Sequence, residues 1–211
     1  RGLTEACVET YYGEVPEDPE ERCWRSLTYQ AEGYREAITA FRARKFECAG
    51  SVFWMYSDCW GTHGWTIVDY YLRKKPSFYS VKRACAPIMV FSRNTGPKTE
   101  VFIVNDTLTP TVLELEVEAA PLCDRGQNKR QYVRRRVEVE ANGSVRAAVL
   151  YDSKGWVYAA VKMDGVTVSE DLTTAYFPAE LPFPETTVSA AIRPEKDGVL
   201  VELRSDGFAH A

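Results

Sequence analysis

The feature that most constrains this chain is a change of period. Up to about residue 86 the apolar residues recur at helical spacing; beyond Pro87 they recur at every second position. From Glu21 to Phe46 they fall at Trp24, Leu27, Ala31, Tyr34, Ile38 and Phe41, the three-then-four spacing of an amphipathic helix. Glu17-Asp18-Pro19-Glu20-Glu21 supplies the acids and proline that favour a helix start. A shorter helix is expected around Leu3 to Tyr12. Gly50 introduces Ser51-Val52-Phe53-Trp54-Met55-Tyr56, an apolar run without alternation. Such a run predicts a strand covered on both faces, as in a parallel sheet. Pro76 then suits the first position of another helix, with Phe78, Val81 and Cys85 on its apolar face and Pro87 as its stop.

After Pro87 the pattern is that of strands. Thr111 to Ala119 turns Leu113, Leu115 and Val117 one way and Glu114, Glu116 and Glu118 the other. Gln131 to Glu140 separates Val133, Val137 and Val139 from Tyr132, Arg134, Arg136 and Glu138 in the same manner. Val101 to Asn105, Val145 to Leu150 and Trp156 to Met163 are further expected strands. Turn signals lie between them at Asn94-Thr95-Gly96-Pro97, Asn142-Gly143, Ser153-Lys154-Gly155 and Asp164-Gly165. Short strands at this spacing predict an immunoglobulin-like sandwich. A proline-rich connector, Tyr176 to Pro184, leads to an expected hairpin of Val188 to Ile192 and Val199 to Leu203 around Lys196-Asp197-Gly198. The fold class expected is therefore α/β over 1–86, all-β over 87–175, and over 176–211 a connector with a hairpin that completes the sandwich or begins a further domain.

Composition narrows the function. A hydrophobic share of 45% with 27% charged residues suits a folded chain, and a net charge of −4 gives no reason to expect nucleic acid as a partner. No apolar run reaches the length of a membrane span. The six cysteines are irregularly spaced, without a C-x-x-C pair, and read as small buried thiols in a reducing compartment. With only His63 and His210 as histidines, neither a metal nor a cofactor is expected. Arg1-Gly2-Leu3-Thr4-Glu5 carries no signal-peptide pattern, so the true N-terminus is expected upstream or removed, and a cytoplasmic location is the expectation.

The chemistry concentrates after the expected strand. Trp54, Tyr56, Trp60, Trp65, Tyr70 and Tyr71 fall within eighteen residues, mixed with Asp58, His63 and Asp69. Aromatic faces that stack on sugar C–H surfaces, beside carboxylates that accept from hydroxyls, suit a carbohydrate pocket. The competing reading is that the rings fill core between neighbouring domains. Gly50-Ser51-Val52-Phe53-Trp54-Met55-Tyr56-Ser57-Asp58-Cys59-Trp60 is similar to the Gly-x-(Leu/Phe)-x-Trp-x-x-Asn-Asp-x-Trp segment of β-mannosidase-like glycoside hydrolases of family 2. Trp65 to Tyr70, Lys75 to Arg83 and Tyr29 to Ile38 also resemble that family. The likeness is close over roughly 20–90; beyond that it rests on the sandwich pattern with Asp197 to Leu203 and Phe208-Ala209.

The resemblance implies that the first segment is the end of a (β/α)8 barrel, helix-strand-helix, followed by a supporting sandwich. It implies Trp54 as the platform of the −1 sugar subsite, with Asp58 and Trp60 as substrate-binding residues that shape the pocket. Ser57, Met55 and Gly61 depart from the usual Asn, Gln and Pro, which leaves the sugar open. The family cleaves β-linked glycosides from the non-reducing end with two glutamates about 5 Å apart. These belong to barrel strands 4 and 7, upstream of this segment, so no catalytic residue is assigned here. Glu9, in Val8-Glu9-Thr10-Tyr11-Tyr12-Gly13, fits a helix face better than a nucleophile strand. The chain alone is expected to be inactive, to need the remaining domains of its protein, and to expose apolar surface that favours self-association. The alternative from another class is a non-catalytic carbohydrate-binding or interaction module. Lys129-Arg130 and Arg134-Arg135-Arg136 are expected to pair with Glu114, Glu116 and Glu118 across strands. His63 is a further candidate for a sugar hydroxyl. Asn105-Asp106-Thr107 and Asn142-Gly143-Ser144 fit the glycosylation sequon, too common a pattern to weigh.

Overall fold

A computed structural model describes residues 2–61, 64–122, 130–152, 155–181, 185–207 and 209. His63, Cys123, Lys129, the Ser153-Lys154 turn, Pro182 to Pro184 and Phe208 lie outside the described residues. Three helices come first: α1 (Leu3–Tyr12), α2 (Pro19–Ala43) and α3 (Pro76–Ala84). Asp18 starts α2 by accepting the Glu21 N–H at 2.8 Å, with Pro19 in the first turn, where no N–H is needed. Gly13, at φ 86°, ends α1 and donates to the Glu9 carbonyl at 2.8 Å. Glu9 thus lies in a helix. The buried face of α3 is Ser77, Ser80, Val81 and Ala84, while Cys85 caps its end and is exposed. The expected Phe78-Val81-Cys85 stripe was one position out of phase at its last member.

The expected strand from Val52 to Tyr56 does not form. This stretch has no ladder; nearby there are only single bridges, parallel from Ser57 to Val68 and antiparallel from Val68 to Lys74. A strand exists through the N–H and C=O groups of its neighbours. Among the described residues every ladder is antiparallel, and none runs beside this segment.

The next seven strands make the sandwich: β1 (Ile88–Asn94), β2 (Lys98–Asn105), β3 (Thr111–Pro121), β4 (Gln131–Val139), β5 (Gly143–Tyr151), β6 (Gly155–Met163) and β7 (Val166–Thr174). One sheet runs β1-β2-β5 and the other β4-β3-β6-β7. Seven antiparallel strands in two sheets, with crossings between them after β2, β4 and β5, match the immunoglobulin-like plan. Here the fourth strand pairs with the third rather than with the fifth. Asp164 and Gly165, at φ 51° and 79°, form the two-residue turn between β6 and β7. Gly155 allows β6 to start against β3, because a Cβ there would stand 2.0 Å from the Ala120 carbonyl oxygen.

Two apolar clusters hold the molecule. The first lies between the sheets and includes Val90, Ile103, Leu113, Leu115, Val117, Val139 and Val157, as the alternation of β3 and β4 required. The second lies outside the three-stranded sheet, where Met89, Phe91 and Val104 meet Ile38 of α2, Val81 of α3, and Ile67 and Val68. Phe91 and Phe102 stack at 5.7 Å within it. The three-stranded sheet is therefore covered on both faces. Beyond the sandwich, β8 (Val188–Glu195) and β9 (Gly198–Ser205) pair as expected and form a sheet of their own.

The five described cysteines carry no disulfide, and none is buried; Cys23, Cys59 and Cys85 are exposed. The expectation of buried thiols fails because these residues fall on helix surfaces, at helix ends and in loops. No helix among the described residues is long and apolar enough to cross a membrane.

Candidate functional site

The segment that carries Trp54, Asp58 and Trp60 lacks regular structure but has a fixed backbone. Val68 is its centre: its N–H donates to the Tyr56 carbonyl at 3.0 Å and its carbonyl accepts from Asp58 at 3.2 Å. The Lys75 N–H returns to the Ile67 carbonyl at 3.0 Å. Ile67 and Val68 are buried in the second cluster, so the segment is anchored by its own apolar pair.

Side chains complete the frame. The Lys75 ammonium donates to Asp58 Oδ2 at 3.0 Å, to Thr66 Oγ1 at 2.7 Å and to the Gly64 carbonyl at 3.1 Å. An ammonium has three protons, and each has an acceptor. The two charges are deeply desolvated, with side chains 6% exposed for Lys75 and 3% for Asp58. Tyr34 of α2 places its hydroxyl 2.6 Å from the Trp65 carbonyl oxygen and 3.2 Å from that of Trp54. One turn earlier, Gln30 donates to the Gly64 carbonyl at 3.1 Å and accepts from Ser77 of α3 at 2.9 Å. Burial raises the Tyr34 phenol above its ordinary range, so it stays a donor at neutral pH. The second carboxylate of the segment is also engaged. Asp69 accepts from the Arg73 N–H at 2.8 Å and from its guanidinium at 2.6 Å.

The indoles point away from this frame. Trp54 is 74% exposed and Trp60 69%, with Tyr56, Trp65 and Tyr71 similarly open. Of the three expected site residues, the structure leaves Trp54 and Trp60 at the surface and turns Asp58 inward onto Lys75. Tyr34, Gln30, Thr66 and Lys75 were not singled out from the sequence. Tyr34 and Gln30, one turn apart on the expected helix, were the available signal; nothing local marked Lys75, whose partners are nine to seventeen positions away.

No family model matches the chain. A β-mannosidase B of Aspergillus niger is 29% identical over 145 residues, 59% of this chain and 17% of that protein. That of Aspergillus flavus is 54% identical over 43 residues, 20% of this chain. The crystal structure of a β-D-mannosidase from Dictyoglomus thermophilum superposes on 97% of this chain with a TM-score of 0.84 at 26% identity. The chain is β-mannosidase-like. It spans about a quarter of that solved chain, for which the covered share is 26%. An exo-chitosanase of Amycolatopsis orientalis shares the fold, with a TM-score of 0.72 at 16% identity over 95% of this chain.

Other candidates of the β-mannosidase-like chain resolve into structural roles. Glu116 bridges Arg134 at 3.4 Å and Lys162 at 2.6 Å, and Glu118 bridges Arg130 at 3.1 Å. Arg130 and Arg134 are thus paired as expected, whereas Glu114 and Arg136 share no ion pair among the described residues. Arg135 occupies a core-side position of edge strand β4 yet remains exposed. An inward charge at a sheet edge discourages pairing with another chain. Asn105 of the first sequon is buried and donates to the Thr109 and Glu140 carbonyls, which leaves its amide committed. Among the described residues no group of three or more His, Cys, Asp or Glu could hold a metal ion.

Proposed function

We propose that this chain belongs to a retaining exo-β-glycosidase, most similar to a β-mannosidase, and contributes its −1 sugar platform and a supporting sandwich. On this reading residues 1–86 close a (β/α)8 barrel, and the Val52–Tyr56 run becomes its last strand when neighbouring strands are present. Residues 87–175 form the buttressing sandwich, and 176–211 a connector and hairpin. The β-mannosidase names of the relatives support the substrate class. The observation that carries the site is the contrast at Trp54, whose backbone carbonyl lies 3.2 Å from the Tyr34 hydroxyl of α2 while its indole is open to solvent. A rigid backbone under an exposed ring is what a stacking platform for a pyranose requires. Trp60 extends that surface. Asp58 shapes it by holding Lys75 and so the turn on which Trp60 stands.

The test is to assay aryl β-mannoside and β-galactoside cleavage by the full-length protein, with Trp54→Ala beside the wild type. Loss of the platform should lower kcat/KM by roughly tenfold, the equivalent of about 1.4 kcal/mol of stacking. Unchanged kinetics in Trp54→Ala would remove the platform role. Binding of mannoside without turnover in the wild-type protein would favour a carbohydrate-binding module instead.

A further inference from the structure

Asp171 of β7 sits where three parts of the molecule meet. Its Oδ2 accepts the Ser92 N–H of β1 at 2.8 Å, and its Oδ1 accepts from Arg35 of α2 at 2.5 Å. Two residues earlier on β7, Ser169 Oγ accepts the Val90 N–H at 3.0 Å. β1 is an edge strand, so the N–H groups of Val90 and Ser92 have no neighbouring strand to bond. Side chains of β7, spaced by two, take that neighbour's place and lace the two sheets together.

The same carboxylate reaches the helix. Arg35 and Asp171 have side chains only 14% and 6% exposed. Burial disfavours the Arg35 charge, but Asp171 outweighs it and holds the guanidinium above even its usual basicity. Two turns on, Arg42 bonds the Ala84 and Ala86 carbonyls and Asp106, a second bolt on the same face of α2. Next to Arg35, on the adjoining face, the single Tyr34 hydroxyl proton is shared between the Trp65 carbonyl at 2.6 Å and the Trp54 carbonyl at 3.2 Å. The chain of contact runs from the seam of the sandwich, through one rigid helix, to the backbone beneath the exposed indole.

We propose that Asp171 and Arg35 are positioning residues, through which the sandwich sets where Trp54 stands. The inference rests on the reading of Trp54 as a sugar platform. A buried ion pair adds little net stability compared with packed apolar groups, whereas a guanidinium on a carboxylate fixes direction and distance. Apolar packing in the second cluster already attaches α2 to the sandwich; the pair adds the register of that attachment.

The experiment is fluorine NMR of the 211-residue chain labelled with 5-fluorotryptophan, with the five resonances assigned by Trp→Phe variants. Asp171→Asn should shift the Trp54 and Trp65 resonances. Tyr34→Phe should shift the same two, and the double variant should add nothing further. A merely structural Asp171 would instead disturb Trp156, whose strand pairs with β7, and leave Trp54 and Trp65 in place; that result overturns the proposal. Should Asp171→Asn not fold, Arg35→Lys keeps the charge but loses the fork. It should shift the same two resonances by less, and no shift at either overturns the proposal equally. Titration of methyl β-mannoside into the fluorine-labelled full-length protein reads the sugar site separately. A silent Trp54 there counts against the platform but not against the mechanical link.

Discussion

The sandwich and the segment from Ser51 to Lys75 are held by different means. In the sandwich, backbone pairs with backbone along ladders, and apolar alternation fills the space between sheets. In the segment, a few backbone bonds centred on Val68 are completed by side chains: Tyr34 and Gln30 of α2 and the segment's own Lys75 bond its carbonyls, and Asp58 is bonded in turn. The sandwich strands are joined to one another by ladders within the chain. The Val52–Tyr56 run, equally apolar in composition, finds no ladder; Phe53 packs against the second cluster, while Val52, Trp54 and Tyr56 stand open. An apolar run states what a segment can bury, and only its neighbours decide whether it is buried.

That contrast can be tested from its strongest member downward. Leu115 is wholly buried at the middle of β3, so Leu115→Ala should destabilise the protein by about 3–5 kcal/mol in urea unfolding. A loss under 1 kcal/mol would mean that the intersheet core does not dominate. Lys75→Met strands Asp58 without its counter-charge, at about 3 kcal/mol. The effect should show as faster hydrogen exchange at Asp58 and Val68 while β3 amides keep their protection. Equal acceleration in β3 would erase the distinction between the two regions. Asp18→Ala removes the cap of α2 and should lower stability by about 1 kcal/mol, read from the helical circular dichroism melt.

The smallest effect is electrostatic. Hydrogen bonds from Lys98 to Glu100 and from Lys162 to Glu116 hold both carboxyls below the ordinary glutamate range. A lowered folded-state pKa stabilises fully above the unfolded value and is lost as pH falls through the folded one. Stability should therefore be flat at neutral pH and decline only on the acid side of the usual glutamate range. Glu100→Gln should make that acid decline shallower, and an unchanged profile would show that the ion pairs contribute nothing.

Where one face was dry and the other wet, the sequence was easy to read. β3 alternates in burial as far as Ala119, β4 does so apart from Arg135 and β6 apart from the buried Ala160, and α2 carries its stripe, although Trp24 within that stripe is exposed. β1 was not read because it is buried on both faces: Val90 looks into the intersheet core while Met89 and Phe91 look toward the helices. β7 was not read because its pattern is inverted. Ser169 and Asp171 face the seam, while Val168 and Leu172 are exposed, so polarity points the opposite way from the usual rule. The motif around Trp54 was legible as a resemblance, and its indole is exposed. Asp58 was legible only as a residue type. Its inward turn depends on Lys75, which becomes its neighbour only after the chain folds back.

The stacked Phe91 and Phe102 carry a lesson for anyone who would cut this molecule. A blade drawn at Pro87 would free an all-β piece whose three-stranded sheet had lost the cover of its outer side. Met89, Phe91 and Val104 would then meet water together, a greasy plate where the intact protein has a seam. Expressed by itself, such a piece should clump or need a substitute lid. The two architectures share one interior, and should be moved between proteins only as a pair.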